Sequence, residues 1–526
     1  MASPARRLYM QKRVGVLRAR LGADLAATDT EDFIQLLWAI GVLQSGNPAP
    51  AARIIRFPPQ AATDDFTSRF AVRPWELETL ANLAAETHKA ELPATLTCRD
   101  FNSAARFVNA LRTLEDVESG AYVDQETVLN EMHRIGQRQF AWQRGHANNP
   151  DVYRSIYLYG QGAAAAFFEQ HHRMSIEDFT KTAFGLFVTL TQHPSVARAT
   201  DFDQIGITPQ MVESALNLFA LPIDQAAEVL AETVAAVGAI DLPTAYKPSL
   251  PRRWPILTFG PQGQRLRAPL PSLVLHRMSA GLYYDLLPGG GVVGDEIARR
   301  FEAYCLNLMV STLPALTIEP EYRYHRAGTG DQVDSPDVLV ADQARLTLAV
   351  ECKATKLTFA AQFADEPAVT AAAKYDELGK GVFQLWRYFS HCRRGLTRHA
   401  VDDETCGLVL TLDTWLVMSR ELQEHCLANA RRRAETEPGM TVEDQKPICF
   451  ASIQDFERLV LQTDEAGFLR TLAAAKEERF TGWLLPDIRQ RNDVQLAEPK
   501  PYPFDLSELL VWWAELEELR SARAAR

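Results

Sequence analysis

The chain has 526 residues, of which 47% are hydrophobic and 23% are charged, as is ordinary for a globular protein. At roughly 100–200 residues per domain, this length excludes a single core and predicts several domains. The net charge of −12 argues against a protein that coats nucleic acid over its whole surface, although it allows a local basic groove.

The start of the chain and its apolar runs give no sign of a membrane partner. No apolar run reaches the roughly 20 residues needed to cross a bilayer. The first residues are basic but lack an apolar stretch followed by a cleavage site, so we expect a cytoplasmic protein.

Cysteine and histidine spacing does not predict a zinc site or a disulfide framework. No CxxC pair occurs, which indicates free thiols in a reducing compartment. His171 and His172 are adjacent, and adjacent helical residues point about 100° apart, so we predict no metal there. The seven cysteines are at positions 98, 305, 352, 392, 406, 426 and 449.

Residues 1–240 are predicted to form an all-α domain that serves recognition, regulation or assembly, with a partner protein or an activating ligand. Segment 31–43 places apolar residues on one face at helical spacing, and several segments begin with an Asp or Ser cap. Similar patterns fill 73–86, 99–116, 124–144 and 175–192. The apolar face of 31–43 consists of Phe33, Ile34, Leu37 and Ile40, with Trp38 beside them.

Residues 241–271 are dense in proline, which interrupts both helices and central strands. We therefore predict an extended connector and a domain boundary here. The prolines are Pro243, Pro248, Pro251, Pro255, Pro261, Pro269 and Pro271.

Residues 272–460 predict a mixed α/β domain in the order helix, three strands, helix, strand. The helix follows a glycine turn near Gly294, and the strands are 315–326, 337–342 and 346–354. A long helix covers 374–394 and a buried strand 405–412, while 446–453 predicts one more short strand. Residues 461–526 predict a helical C-terminal extension.

Two carboxylates and a lysine converge if 337–354 forms a hairpin with its turn at 342–344. Glu351 and Lys353 share one strand face and Cys352 points to the other, while Asp337 opens the preceding strand. Carboxylate oxygens are the ligands that Mg²⁺ or Mn²⁺ requires, and the Cys352 carbonyl is a natural third ligand. Lys353 can orient a nucleophilic water and stabilise the charge of the transition state.

These residues resemble the PD-(D/E)xK nuclease superfamily, which has the restriction-endonuclease-like fold. Pro336-Asp337 and Glu351-Cys352-Lys353 match its motif, and the element order given above is that of its core. The resemblance covers a quarter to a third of the chain, centred on residues 294–412.

Two more elements strengthen the resemblance. Gln384 and Tyr388 match the QxxxY element of the RecB-like branches, which implies a role in catalysis. Glu302 matches the acidic residue that many members place on the helix before the sheet as an additional metal contact. Glu296 is its competitor on the same helix.

The resemblance implies a Mg²⁺- or Mn²⁺-dependent endonuclease that hydrolyses nucleic acid, DNA rather than RNA. By analogy alone, such a chain resembles effectors of bacterial defence against phages and plasmids. The alternatives are a degenerate nuclease fold that acts as a binding scaffold, and an RNase gated by the helical domain.

Several features bear on partners. Two basic clusters, the first in a segment without acidic residues, predict either a nucleic-acid groove or a solvated helix face; Lys356 and Lys380 could also contact phosphate. The apolar stripe of 511–520 could form a homodimer, or Trp512 and Trp513 pack on their own core. The basic residues are Arg387, Arg393, Arg394 and Arg398, and Arg431, Arg432 and Arg433.

Overall fold

A computed structural model describes residues 4–88, 94–122, 128–145, 148–239, 241–326, 332–364, 366–414, 419–492 and 496–524. The protein is mostly helical, with an all-helical N-terminal region and mixed sheets in the middle and C-terminal parts. Among the described residues, no helix is long and apolar enough to cross a membrane. The chain forms two compact units: unit 1 is Met1–Val128, Arg138–Gly289 and Leu506–Arg526, and unit 2 is Leu129–Gln137 and Gly290–Asp505.

The helices of unit 1 begin where the sequence offers side-chain caps. The Asp29 carboxylate accepts a hydrogen bond from Asp32 N at 2.9 Å, and the Ser175 hydroxyl accepts one from Asp178 N at 3.0 Å. The helices are α1 (Pro4–Ala26), α2 (Thr30–Leu43), α3 (Pro74–Glu86), α4 (Phe101–Tyr122), α5 (Val128–Arg144, shared with unit 2), α6 (Asn149–Tyr159), α7 (Gly162–His172), α8 (Ile176–Gln192), α9 (Pro209–Phe219), α10 (Ala226–Ala236), α11 (Leu250–Arg253), α12 (Ser272–Met278) and α13 (Leu282–Leu286).

The core of unit 1 confirms the predicted apolar face of α2. Phe33, Ile34, Leu37, Trp38 and Ile40 are each at most 1% exposed. They belong to one apolar cluster that includes residues of α1, α3 and α4. The predicted helices 73–86, 99–116 and 175–192 are present as α3, α4 and α8, and 124–144 as α5 from Val128 onward; residues 124–127 lie outside the described residues.

A small sheet in unit 1 departs from the prediction. Its strands β1 (Val196–Ala197), β2 (Ala220–Pro222), β3 (Ile256–Phe259) and β4 (Arg265–Arg267) are ordered β1-β4-β3-β2. The first two lie within the predicted all-α residues 1–240, and the last two within the predicted connector 241–271. The reason is positional, since Pro255 and Pro261 stand outside the strands and leave the apolar residues between them free to pair.

Unit 2 contains the predicted α/β elements. Its helices are α14 (Gly290–Thr312), α15 (Phe359–Gln362), α16 (Pro367–Thr370), α17 (Ala372–Arg393), α18 (Arg420–Ala434), α19 (Ile453–Gln462), α20 (Glu465–Ala475) and α21 (Leu485–Arg491). Its strands are β5 (Thr317–Pro320), β6 (Arg323–His325), β7 (Gln332–Asp334), β8 (Val338–Asp342), β9 (Arg345–Lys353), β10 (Cys406–Thr411) and β11 (Ile448–Ser452).

The main sheet of unit 2 has five strands in the order β11-β10-β9-β8-β5. The hairpin β8–β9 and the pair β5–β8 are antiparallel, whereas β9, β10 and β11 run parallel. Helix α17 packs on β9 and β10, and α14 packs on β9, β8 and β5. The central strands are buried, which explains their continuous apolar sequences.

One predicted strand is wrong in its extent. Residues 315–326 were expected to form a single strand, but β5 ends at Pro320 and β6 pairs with β7 in a separate hairpin. The Glu321 N–H still donates to the Asp337 carbonyl after Pro320, and the chain then leaves the sheet because β6 pairs with β7 and not with β8.

The C-terminal residues contain several helices and are divided between the two units. Residues up to Asp505 belong to unit 2, whereas the last helix, α22 (Val511–Ala524), belongs to unit 1. Trp512 is 2% exposed and donates a hydrogen bond to Thr180 Oγ1 at 3.2 Å, and its ring lies 5.3 Å from Phe184. Trp512 thus packs within its own chain.

Candidate active site

The β8–β9 hairpin brings the three motif residues together. Its turn is Gln343–Ala344, with Gln343 in the left-handed region at φ +53°. Val338 pairs with Val350, so the register places Asp337, one residue before β8, beside Glu351. The predicted hairpin and the convergence of Asp337 with the end of β9 are therefore present.

Asp337 is tied to the backbone of the opposite strand. Its Oδ2 accepts a hydrogen bond from Cys352 N at 2.6 Å. The Asp337 carbonyl accepts another from Glu321 N at 3.1 Å. Asp337 is thereby fixed between β9 and the chain that follows β5.

Glu351 and Lys353 form a shielded ion pair on one face of β9. Lys353 Nζ lies 2.7 Å from Glu351 Oε1, and the side chains are 15% and 5% exposed, respectively. Burial alone lowers the pKa of Lys353, but the Glu351 carboxylate outweighs it, so this pKa is raised.

Gly381 of α17 allows the helix to approach this ion pair. A Cβ added at Gly381 would lie 3.0 Å from Lys353 Cε and 3.2 Å from Glu351 Cγ. A hydrogen at this position therefore lets α17 cover the pair closely. The opposite face of β9 meets α14, where the buried Cys352 thiol shares a hydrogen bond with Cys305.

Two further carboxylates lie within electrostatic reach. Burial, helped by Glu321 and Glu351, raises the pKa of Glu302 to about 7. Burial and the carboxylates of Asp334 and Glu351 also raise the pKa of Glu321. Burial and the Glu351 carboxylate raise the pKa of Asp337 well above its usual range. The site is thus a crowded group of acids with one lysine among them.

The structure distinguishes the two candidate acids of α14. Glu302 interacts electrostatically with Glu351, Asp337 and Lys353. Glu296 forms an ion pair with Arg300 at 2.9 Å. Glu302 is therefore the acid that α14 contributes to the site.

Glu321 is the site residue that the sequence prediction missed. It lies in 315–326, which the sequence predicts as one continuous strand. The signal was Pro320, which ends β5 next to the start of β8 and so leaves Glu321 beside Asp337.

The two QxxxY residues differ in their surroundings. Gln384 lies one turn after Gly381 on α17 and is half-buried. Tyr388 is buried, and its hydroxyl lies 2.9 Å from the Tyr322 hydroxyl and 2.7 Å from His399 Nδ1. His399 Nε2 in turn lies 3.3 Å from Glu319 Oε2. The described hydrogen bonds of Tyr388 thus belong to an aromatic network, not to the motif residues.

The basic segments are partly neutralised. Arg393 forms a two-pronged bond with Asp444, with Nε 2.7 Å from Oδ1, and Arg398 pairs with Glu319. Arg433 pairs with Asp376 at 3.0 Å, while Arg431 and Arg432 are exposed.

In unit 1, His172 of the adjacent histidine pair has its Nε2 3.9 Å from Asp285 Oδ1.

The oxygen atoms that the site offers are of the kind that a hard divalent cation such as Mg²⁺ binds. Asp337, Glu351, Glu302 and Glu321 offer carboxylate oxygens, and their mutual repulsion is what a bound cation would relieve. Asp337 accepts a hydrogen bond from Cys352 N, and Glu351 accepts one from Lys353. Within the described part of the chain, no group of three His, Cys, Asp or Glu side chains is arranged to hold a metal ion.

No protein-family model matches the chain, and comparison with curated proteins and with solved structures found no similar protein.

Proposed function

We propose that unit 2 is a divalent-metal-dependent nuclease resembling the PD-(D/E)xK superfamily, and that it hydrolyses phosphodiester bonds of DNA. The observation that carries the proposal is the juxtaposition of Asp337 with the Glu351–Lys353 pair at the end of the β8–β9 hairpin. The acid on α14, Glu302, supports it from a third element. The α/β element order given above is also that of the family's core.

The residues have separable roles in this proposal. Asp337 and Glu351, with Glu302 and the Cys352 carbonyl, would hold Mg²⁺ or Mn²⁺, which lowers the pKa of a bound water and neutralises phosphate charge. Lys353 donates hydrogen bonds to the nucleophile and to the phosphate oxygens. To do so, its ammonium exchanges its present contact with Glu351 for one with the substrate.

Asp337→Asn and Lys353→Ala test the proposal on supercoiled plasmid and on labelled DNA and RNA of one sequence, with Mg²⁺ and with Mn²⁺. We expect metal-dependent cleavage by the wild type and a loss of at least about 10²-fold in each variant. Asp403→Asn is the matched control, because this unit 2 carboxylate is fully exposed, at 104% of the reference area.

A binding scaffold with a degenerate nuclease fold is the second candidate. The observation that favours it is that both motif carboxylates already have protein hydrogen-bond partners. Mn²⁺ titration followed by electron paramagnetic resonance distinguishes the two functions. A nuclease binds Mn²⁺ in a manner that Asp337→Asn abolishes, whereas a wild type that neither binds the ion nor cleaves is a scaffold.

A further inference from the structure

One face of α17, continued to the C-cap residue Arg394, carries three cations at a spacing of seven residues. Lys380, Arg387 and Arg394 recur with Gln384 and His391 at intervals of four and three residues. At about 100° per residue, all five lie within an arc of ~80°. We call this set the α17 stripe. Lys380 and Arg394 are exposed, Arg387 is half-buried, and His391 is buried with its Nδ1 2.8 Å from the Tyr324 hydroxyl. The stripe begins next in sequence to Gly381, where α17 covers the Glu351–Lys353 pair.

The cations of the α17 stripe have no carboxylate partner among the described residues. Lys380 is exposed, and the carboxylate one turn before it, Asp376, is held by Asn429 and Arg433. Arg394 is exposed, and its described bond goes to the Pro438 carbonyl at 3.2 Å.

Arg387, the third cation of the stripe, also has no carboxylate partner among the described residues. Its buried Nε has no hydrogen-bond partner, and its guanidinium lies 5.8 Å from the centre of the Phe383 ring. Off the stripe, Arg393 of the same helix is neutralised by Asp444. Unpaired cations along one face suit an anionic ligand that extends along the helix.

The dimensions of the stripe fit a nucleic-acid strand. From Lys380 to Arg394 the helix rises about 21 Å, at 1.5 Å per residue. One strand of duplex DNA places a phosphate every ~3.4 Å along its axis, so the stripe follows about six phosphates. Lys380, at the start of the stripe, is followed in sequence by Gly381, which approaches Lys353 Cε.

We propose that the α17 stripe binds the phosphodiester backbone of DNA and delivers the strand to the Glu351–Lys353 site. The delivery of the strand to a catalytic centre rests on the proposed nuclease function, whereas the binding of DNA by the stripe does not. The backbone contacts are independent of base sequence, so the stripe positions the substrate without selecting a sequence.

The test is DNA binding without cleavage. Fluorescence anisotropy with a labelled 30-base-pair duplex in EDTA measures Kd for the full chain as a function of salt. Lys380→Gln/Arg394→Gln removes two exposed charges, and Arg458→Gln/Arg470→Gln is the matched control on exposed positions of α19 and α20. Thermal unfolding verifies that both variants are folded.

We expect the stripe variant to weaken binding about tenfold and to reduce the slope of log Kd against log salt by about 1.8, at ~0.9 per phosphate contact. The control should leave the slope unchanged. An unchanged slope in the stripe variant, an equal change in the control, or no wild-type binding overturns the inference. A loss of affinity for RNA of the same sequence, but not for DNA, overturns the DNA assignment.

Failure of the inference and failure of the proposed function give different results. If the wild type binds DNA through the α17 stripe but never cleaves it with Mg²⁺ or Mn²⁺, the proposed nuclease function is wrong and the proposed role of the stripe in DNA binding is supported. If the wild type cleaves DNA and the stripe variant binds and cleaves it equally well, the proposed role of the α17 stripe is wrong and the nuclease function is supported.

Discussion

Shielded carboxylates have different partners in unit 1 and at the candidate site of unit 2, although elsewhere in unit 2 the buried Asp444 also pairs with an arginine, Arg393. In unit 1 they meet arginines: Glu78 Oε1 lies 2.7 Å from Arg252 Nε, and Asp285 Oδ2 lies 2.6 Å from Arg277 Nη1. In unit 2, by contrast, Asp337 and Glu351 share the neighbourhood of Lys353 with further acids.

The difference separates two uses of a shielded charge. A two-pronged arginine satisfies a carboxylate and holds distant segments together. A group of acids around one lysine is electrostatically incomplete and is best completed by a cation or a reacting group. The predictions below test this contrast by removing charge from each unit.

The largest effects are expected from matched amide substitutions, Glu351→Gln and Glu78→Gln. Glu351→Gln should reduce cleavage at least about 10²-fold with little loss of stability, because losing the Glu351 charge removes a cause of the raised pKa of Asp337 and of Glu302, so that these acids ionise and compensate Lys353. Glu78→Gln should cost about 2–4 kcal/mol of unfolding free energy, since it removes the charged partner from a shielded, two-pronged ion pair with Arg252. Chemical denaturation and a cleavage assay measure the two quantities.

Equal destabilisation by the two substitutions, with cleavage unaffected in both, would show that Glu351, like Glu78, serves only to stabilise the fold. The proposed difference between the candidate site and the ion pairs of unit 1 would then be wrong.

The next effect concerns the glycine that lets α17 approach the ion pair. Gly381→Ala pushes against Lys353 and Glu351 and should slow cleavage about tenfold or more. Gly379→Ala is the control in the same helix, because its Cβ would meet Asn429 of α18 at 2.8 Å. We expect the control to lower the melting temperature while its folded fraction cleaves normally. A Gly381→Ala protein with unchanged kcat contradicts the close approach.

The third prediction is a pair of opposite pH slopes. The pKa of Glu302 is raised to about 7, so its ionisation opposes folding, and this contribution to stability is lost as pH rises from 4.5 through 7. Relative to Glu302→Gln in EDTA, the wild type should lose about 1–2 kcal/mol over this range, after allowance for solvent screening.

Glu78 should give the opposite sign. Arg252 holds the pKa of Glu78 below its ordinary value despite burial, so its stabilisation is present above pH 4.5 and is lost as pH falls through the folded pKa. Denaturation midpoints of the wild type, Glu302→Gln and Glu78→Gln across pH 3.5–8 measure both slopes. Slopes of the same sign for the two residues would contradict the assigned environments.

The sequence could predict what depends on local pattern. Strand alternation and the turn were enough to place Glu351 and Lys353 on one face and Asp337 beside them. Glu321 was not predictable in this way, because its position depends on Pro320 ending β5 next to a strand that comes later in the chain. The sheet of unit 1 escaped prediction for the same reason: β1 and β2 pair with strands drawn from the proline-rich residues.

The smallest effect is expected at Tyr388, whose spacing from Gln384 matched a catalytic element. Its hydroxyl bonds Tyr322 and His399, so Tyr388→Phe should cost about 1–2 kcal/mol of unfolding free energy and change cleavage less than threefold. Gln384→Ala is the comparison within the same motif, and it should affect cleavage more than stability, because Gln384 belongs to the α17 stripe and lies one turn after Gly381. Measuring kcat and denaturation midpoints for both variants separates the two roles. A large loss of kcat in Tyr388→Phe at unchanged stability would show that Tyr388 contributes to the reaction and not only to the stability of unit 2.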